Sequence, residues 1–369
     1  MSARNWEEKS RAIRRWLDDS RTLRVVAGAV ALVALFPLVW LLIRSLSIGH
    51  ERAANLLLRS GTLRVIGNSV ALTVATTVLS VSLGVPLAYL TERTDLPMSR
   101  LWSVVVSLPL VIPSYIGAFA YVYTFGPGGS FQSLLESFGV SSLPSIYGFP
   151  GTVFIITLYT YPYVYITARA ALRSFDTTLV DAARSLRCSR LEAFKRVTVP
   201  QIKPAVAAGS LLVALYALSD FGTPMIMHFD AFTREIYVEF GAANRDSAAL
   251  LSVVLVVLTV LILSVESWFR SDRTLYSQGR SRSKKLSLGR WRWVATLLPA
   301  LVGLLALAVP LGVMVEWFLR DPPGYTSSLA FEWGYALNSV YVSVAAALVA
   351  GVAGVPVAYV SAKRDTRLS

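Results

Sequence analysis

Eight blocks of this chain are apolar for long enough to cross a lipid bilayer, and that leaves few folds open. They lie at about 25–46, 65–90, 101–125, 150–172, 203–226, 247–269, 293–319 and 338–360. A hydrocarbon core about 30 Å thick takes roughly 20 residues of helix to cross. Inside it every backbone N–H and C=O must be bonded within the protein, so only helices or closed barrels can span. No alternating barrel pattern is present. The expected fold class is therefore all-α, a polytopic transmembrane helical bundle. The first block is too long for a signal-peptide core and lacks a clear cleavage site, so it reads as an uncleaved span. Charged residues are only 15% of the chain, against about 25% in soluble domains. Pro86, Pro109, Pro113 and Pro162 fall inside spans, where packed neighbours can satisfy the freed carbonyls.

The net charge of +13 raises nucleic acid as a partner, and the distribution of the charge argues against it. Of the 35 Lys and Arg residues, 27 fall in the N-terminal tail, alternate connections and the C-terminal end, and 7 in the other connections. Arg169 lies within a span, near its cytoplasmic end. Basic residues collect on the cytoplasmic side of membrane proteins. The asymmetry predicts a multi-pass protein of the cell membrane with residues 1–24 as a cytoplasmic tail. It places 173–203 and 270–292 in the cytoplasm, and 126–149 and 227–246 outside. The bilayer is then the expected surroundings, with no nucleic acid.

An internal repeat organises the chain. Asn68-Ser69-Val70 recurs as Asn338-Ser339-Val340, and Gly84-Val85-Pro86-Leu87-Ala88-Tyr89 as Gly354-Val355-Pro356-Val357-Ala358-Tyr359, at a constant offset of 270. The preceding spans correspond through Pro37 and Pro310. The expected organisation is a first half of six spans over 25–270, a linker at 271–292, and the start of a second half at 293–369. That second copy supplies two spans before Ser369, where the first goes on to four more, so the expectation is a second half cut short.

The longest cytoplasmic connection within the first half, 173–203, carries the clearest motif. It reads Asp181-Ala182-Ala183-Arg184-Ser185-Leu186-Arg187 and, nine residues later, Val197-Thr198-Val199-Pro200. Apolar residues at 179, 183, 186, 191, 194 and 197 recur at helical spacing with one phase break. That pattern predicts two short amphipathic helices joined by a turn at 187–190. Small residues at 182 and 183 let another surface come close, and Pro200 is expected to end the second helix.

This arrangement resembles the EAA motif of binding-protein-dependent ABC permeases, with Asp181 for the usual Glu. The resemblance implies the type I importer (MetI-like) fold. It also implies that Asp181, Ala182, Ala183, Arg187 and Pro200 couple the chain to a separate ATP-binding subunit. Arg187 stands where the family has glycine, and is expected in an ordinary turn rather than in left-handed geometry. Three further segments are similar to iron(III) permeases: Pro113-Ser114-Tyr115-Ile116-Gly117-Ala118-Phe119-Ala120, Leu218-Ser219-Asp220-Phe221-Gly222-Thr223, and Phe232-Thr233-Arg234-Glu235-Ile236-Tyr237. They imply iron(III) as cargo and an extracytoplasmic solute-binding protein as partner. Permeases for thiamine, phosphonate or polyamine share the architecture and remain alternatives.

The residues present agree with a conducting subunit rather than an enzyme. There is no Gly-x4-Gly-Lys-Ser/Thr phosphate loop, so ATP hydrolysis belongs to a partner. The histidines are His50 and His228, in separate external loops, and Cys188 is the sole cysteine. No resident metal or cofactor is expected. Asp220 reads as an intramembrane acid, hence a functional candidate, or else as a helix-end residue bonded to Ser219, Thr223 or a neighbour. Asp220, Tyr115 and Tyr163 are the candidate path residues. The tyrosines at 159, 161, 163 and 165 are expected chiefly as interfacial aromatic packing. An ion-coupled secondary transporter is the rival class. It uses inverted repeats and paired buried charges, whereas the repeats here run parallel.

Overall fold

A computed structural model describes residues 20–136, 139, 144–174, 178–270, 285–319 and 332–363. The expectations for 1–19, 271–284 and 364–369 lie outside the described residues. The described chain is helical almost throughout. In order, the helices are α1 (Ser20–Leu46), α2 (His50–Leu58), α3 (Ser60–Arg93), α4 (Ser99–Val105), α5 (Ser114–Phe125), α6 (Ser130–Glu136) and α7 (Phe149–Ser174). There follow α8 (Thr178–Ser185), α9 (Arg190–Ala193), α10 (Val199–Ser219), α11 (Gly222–Ile226), α12 (Phe232–Gly241) and α13 (Arg245–Arg270). The last are α14 (Trp291–Ala295), α15 (Leu297–Gly303), α16 (Val309–Leu319) and α17 (Trp333–Lys363).

Six of the described helical runs are long and apolar enough to cross a membrane: Leu23–Leu46, Ser60–Arg93, Phe194–Ser219, Arg245–Ser264, Trp291–Leu319 and Trp333–Tyr359. Ser99–Val111 and Ser114–Gln132 add a seventh if taken as one span bent by 94°. The bend falls at Pro113, whose neighbour Ile112 is extended (φ −92°, ψ 120°). Proline disfavours helical geometry in the residue before it, which accounts for the break. The block expected at 150–172 forms the 26-residue α7 but is not among the apolar six. Its threonines and tyrosines dilute the hydropathy, and its sides are covered by protein instead of lipid.

The chain divides into two compact units, residues 1–44 with 322–369, and 45–321. In the first, α1 and α17 are long apolar helices with few buried side chains. The repeat is visible as element type: α3 and α17 each run through their proline, Pro86 and Pro356, without a break.

In the second unit α7 sits between α3 and α10. Small residues set both crossings. A Cβ on Gly84 of α3 would stand 3.0 Å from Tyr161 O and Tyr165 N of α7. One on Gly209 of α10 would stand 2.7 Å from Val164 Cα. Helices in lipid associate by such close backbone approach and by buried hydrogen bonds. Those bonds are present: Tyr161 OH donates to Val106 O at 2.7 Å, and the Thr91 and Tyr165 hydroxyls pair at 3.2 Å. Tyr159, Tyr161 and Tyr165 are buried and Tyr163 is half-buried. The expected interfacial belt is thus corrected to a polar-tipped core. At one end of the pair Arg169 Nε meets Glu92 Oε2 at 3.1 Å, tying α7 to α3.

Candidate functional site

Over 178–193 the connection folds as two helices, α8 and α9, joined by a tight turn, as expected. Arg187 corrects its expectation, because it adopts left-handed geometry with φ 64°. Its N–H donates to Arg184 O at 3.1 Å, and the N–H of Cys188 to Ala183 O at 3.2 Å. These two bonds make a Schellman C-cap, the setting in which glycine is preferred. Bonding of the last carbonyls of α8 outweighs the cost of left-handed geometry for a residue with a Cβ, roughly 1–2 kcal/mol.

The second helix opens with a capping box, legible in the sequence as Ser189-x-x-Glu192. The Glu192 N–H donates to Ser189 Oγ at 3.2 Å, and the Ser189 N–H to Glu192 Oε2 at 3.1 Å. The Ser189 backbone bond, then the charge of Arg196, hold the Glu192 carboxyl below its ordinary value.

Pro200 does not end that helix, as expected, but lies in its continuation. Arg190–Ala193, a wide five-residue π turn at Phe194–Thr198, and α10 follow without interruption. Val199 N–H reaches Phe194 O, five residues back. A proline ring clashes with the carbonyl four residues before it, and a wide turn just ahead makes room. The same solution recurs at Leu304–Ala308 before Val309-Pro310. The span expected at 203–226 therefore starts at 194 and stops at Ser219. Asp181 lies in α8, Ala182 is exposed and Ala183 half-buried, and Arg187 and Pro200 are exposed. Leu186 beside them is an apolar side chain left 81% exposed. The Phe194 ring meets Tyr89 of α3 edge-on at 5.2 Å, anchoring the segment to the bundle.

At the other end of α10 a polar hub forms. Asp220 is the residue at which α10 stops, with extended backbone (φ −68°, ψ 118°), so it is a helix-end residue rather than one within a helical span. Its Oδ2 accepts from Ser114 Oγ at 2.9 Å. Ser114 is 1% exposed, and its oxygen also accepts from Tyr216 OH and Thr223 Oγ1, each at 2.9 Å. Asp220 Oδ1 accepts from Thr223 N–H at 3.3 Å, and the Asp220 carbonyl from Thr233 Oγ1 at 2.7 Å.

The rings of Phe221 and Tyr237 stand 4.8 Å apart. Gly222 is required by close approach, since a Cβ there would lie 2.7 Å from the Cβ of Tyr115. Tyr115 itself is 46% exposed. Tyr163 joins the periphery through its ring, 6.4 Å from that of Tyr216.

Three segments singled out in the sequence, around 114, 220 and 233, thus converge on one cluster. Thr223 was expected as a partner of Asp220 and is one, whereas sequence reasoning missed Ser114, Tyr216 and Thr233 as members. Ser114 and Thr233 lay inside the quoted segments, while Tyr216 carried no signal. The coupling residues and the hub do not come together. They lie at opposite ends of Phe194–Ser219, a run of 26 residues that spans roughly 39 Å at helical rise. Among the described residues no three His, Cys, Asp or Glu side chains gather as a metal site.

Comparison with known proteins bears on this arrangement. Residues 80–271 match the family described as binding-protein-dependent transport system inner membrane component, and the match holds both the coupling segment and the hub. The chain is 29% identical over 296 residues to an Fe(3+)-transport system permease protein of Haemophilus influenzae, covering 79% of this chain and 55% of that one. The chain therefore spans about half the length of that relative. It is also 29% identical over 266 residues to a probable molybdenum ABC transporter permease protein of Haloferax volcanii, covering 70% of this chain and 94% of that one. Among solved structures, a bacterial alginate ABC transporter in complex with its pentasaccharide-bound periplasmic protein has a chain that superposes with a TM-score of 0.54. That match is at 18% identity over 70% of this chain and 97% of the other, and supports the importer-permease fold. On the family match, the chain belongs to the binding-protein-dependent transport system inner membrane components.

Proposed function

We propose that the chain is a permease portion of an ATP-driven importer for iron(III). An external binding protein delivers the ion, a separate ATP-binding subunit supplies the energy, and the N-terminus is cytoplasmic. The observation that carries the cargo reading is the convergence of three segments on the Ser114–Asp220 hub. Those segments are the ones that resemble iron(III) permeases, and the Haemophilus relative's name agrees. Asp220, Tyr115 and Tyr163 are the proposed path residues. Asp181, Ala182, Ala183, Arg187 and Pro200 form the coupling segment, with exposed Leu186 beside them as an apolar contact for the ATPase. A continuous helical run then links the ATPase contact to the hub, so displacement at one end reaches the other as a rigid shift.

The experiment is uptake of labelled iron by cells that depend on a transporter carrying this chain. Asp220→Asn is expected to lower uptake at unchanged protein level. Ala183→Trp is expected to insert normally but to lose co-purification with the ATPase. Normal transport by both variants removes the site assignments. A second reading, a molybdenum oxyanion as cargo, draws on the Haloferax relative, 94% of which the chain spans. Molybdate uptake lost on deletion, with iron uptake unchanged, moves the protein to that reading. The same outcome with thiamine, phosphonate or a polyamine points to those cargoes.

A further inference from the structure

The segment that enters the span at Trp291–Leu319 is fastened at one end and basic at the other. Residues 285–289 lie alongside 93–95, joined by a parallel bridge between Thr94 and Leu286. Leu286 N–H donates to Arg93 O at 2.8 Å, and Asp95 N–H to Leu286 O at 3.1 Å. Asp95 Oδ1 accepts from Leu288 N–H at 2.7 Å, and Oδ2 from Ser287 Oγ at 3.2 Å. Both carboxylate oxygens are thus engaged. The Leu288 bond first, with Ser287 and the charge of Arg292, keeps this group below the usual carboxylate range.

The residues that follow are Arg290, Trp291, Arg292 and Trp293, all exposed, with the indoles at 71% and 61%. Lys285 is exposed as well. The sequence from 285 to 295 contains no Asp or Glu, and Asp95, on which the charge of Arg292 acts, is already bonded at both carboxylate oxygens. The Arg292 guanidinium stands 5.6 Å from the centre of the Trp293 ring, an arrangement that orients a cation beside an aromatic face. Because an apolar span begins at Trp291, the two indoles lie where a helix enters lipid, the depth that their amphipathic rings favour.

We propose that Lys285, Arg290 and Arg292, framed by Trp291 and Trp293, bind the phosphate headgroup of an anionic phospholipid, and that Asp95 is the clasp that holds them at the membrane surface. The cations supply charge complementarity, and the indoles make the occupant a lipid rather than a dissolved anion. The inference rests on the membrane-spanning fold and is independent of the cargo.

The test uses the full chain in nanodiscs of phosphatidylcholine alone or with about one-fifth phosphatidylglycerol, with retained lipid counted by native mass spectrometry. Each basic side chain near an anionic surface contributes roughly fivefold. The double variant Arg290→Gln, Arg292→Gln is therefore expected to bind phosphatidylglycerol about thirtyfold more weakly, with monodispersity and helicity unchanged. Asp95→Ala is expected to lower the preference, whereas Asp95→Asn, which keeps an acceptor for Leu288, retains most of it. Equal retention by the wild type and the double variant overturns the site. Competition by millimolar inorganic phosphate as strong as by lipid overturns the lipid assignment. Unchanged preference in Asp95→Ala overturns the clasp.

Discussion

The buried Ser114 hydroxyl donates to the Asp220 carboxylate at 2.9 Å, joining residues 106 apart in the chain. The same oxygen accepts from Tyr216 and Thr223, so one small side chain satisfies three others. Ser114→Ala leaves those three without their partner. The expected loss is about 1–3 kcal/mol, read as a lower midpoint of thermal unfolding in detergent. A midpoint equal to wild type means the hub does not hold the bend at Pro113.

Arg187 occupies a position that glycine fills at lower cost. Arg187→Gly is expected to stabilise the coupling segment by about 1 kcal/mol. Arg187→Val is expected to destabilise it, because a β-branched residue is strained at positive φ. Hydrogen exchange over 178–193 measures both. Slower exchange in the glycine variant supports the left-handed cap, and faster exchange contradicts it.

The capping box makes the same segment sensitive to acid. The Glu192 carboxyl is lowered from its ordinary value of 4.5, so its contribution is present above that value and lost as pH falls through the folded value. Protection of 190–193 is expected to stay flat from pH 8 to pH 6 and to drop below about pH 4. Glu192→Gln keeps an acceptor for the Ser189 N–H but cannot titrate, and its profile is expected to be flat. A matching acid transition in both proteins assigns the effect elsewhere.

Orientation is tested with single cysteines in a Cys188→Ser background. The loops expected outside and inside include Ser142 and Ser281, which lie outside the described residues. Ser145 and Ser287 are described and exposed. Cysteine at 145 is expected to react with an impermeant thiol reagent in intact cells, and cysteine at 287 only after lysis. The reverse pattern inverts the membrane topology and takes the coupling role with it.

What the sequence determined by itself is what local physics controls. Span length follows from the hydrophobic run, which is why seven of the eight expected blocks reappear as apolar helical runs, one of them bent. The recurrence of long helices through Pro86 and Pro356 was legible for the same reason, and the capping box at Ser189 and Glu192 is a local signal that the sequence reading passed over. Tertiary structure decided the rest. Arg187 is left-handed because the closing bonds of α8 outweigh its own preference, which no single residue type announces. The tyrosines of α7 became core because Gly84 and Gly209 bring two helices against it, at positions 77 and 45 residues from Tyr161 and Val164. Ser114 and Asp220 meet only once the bend at Pro113 and the end of α10 are folded against each other. Hydrogen bonds of that range depend on packing, and packing is a property of the assembled bundle.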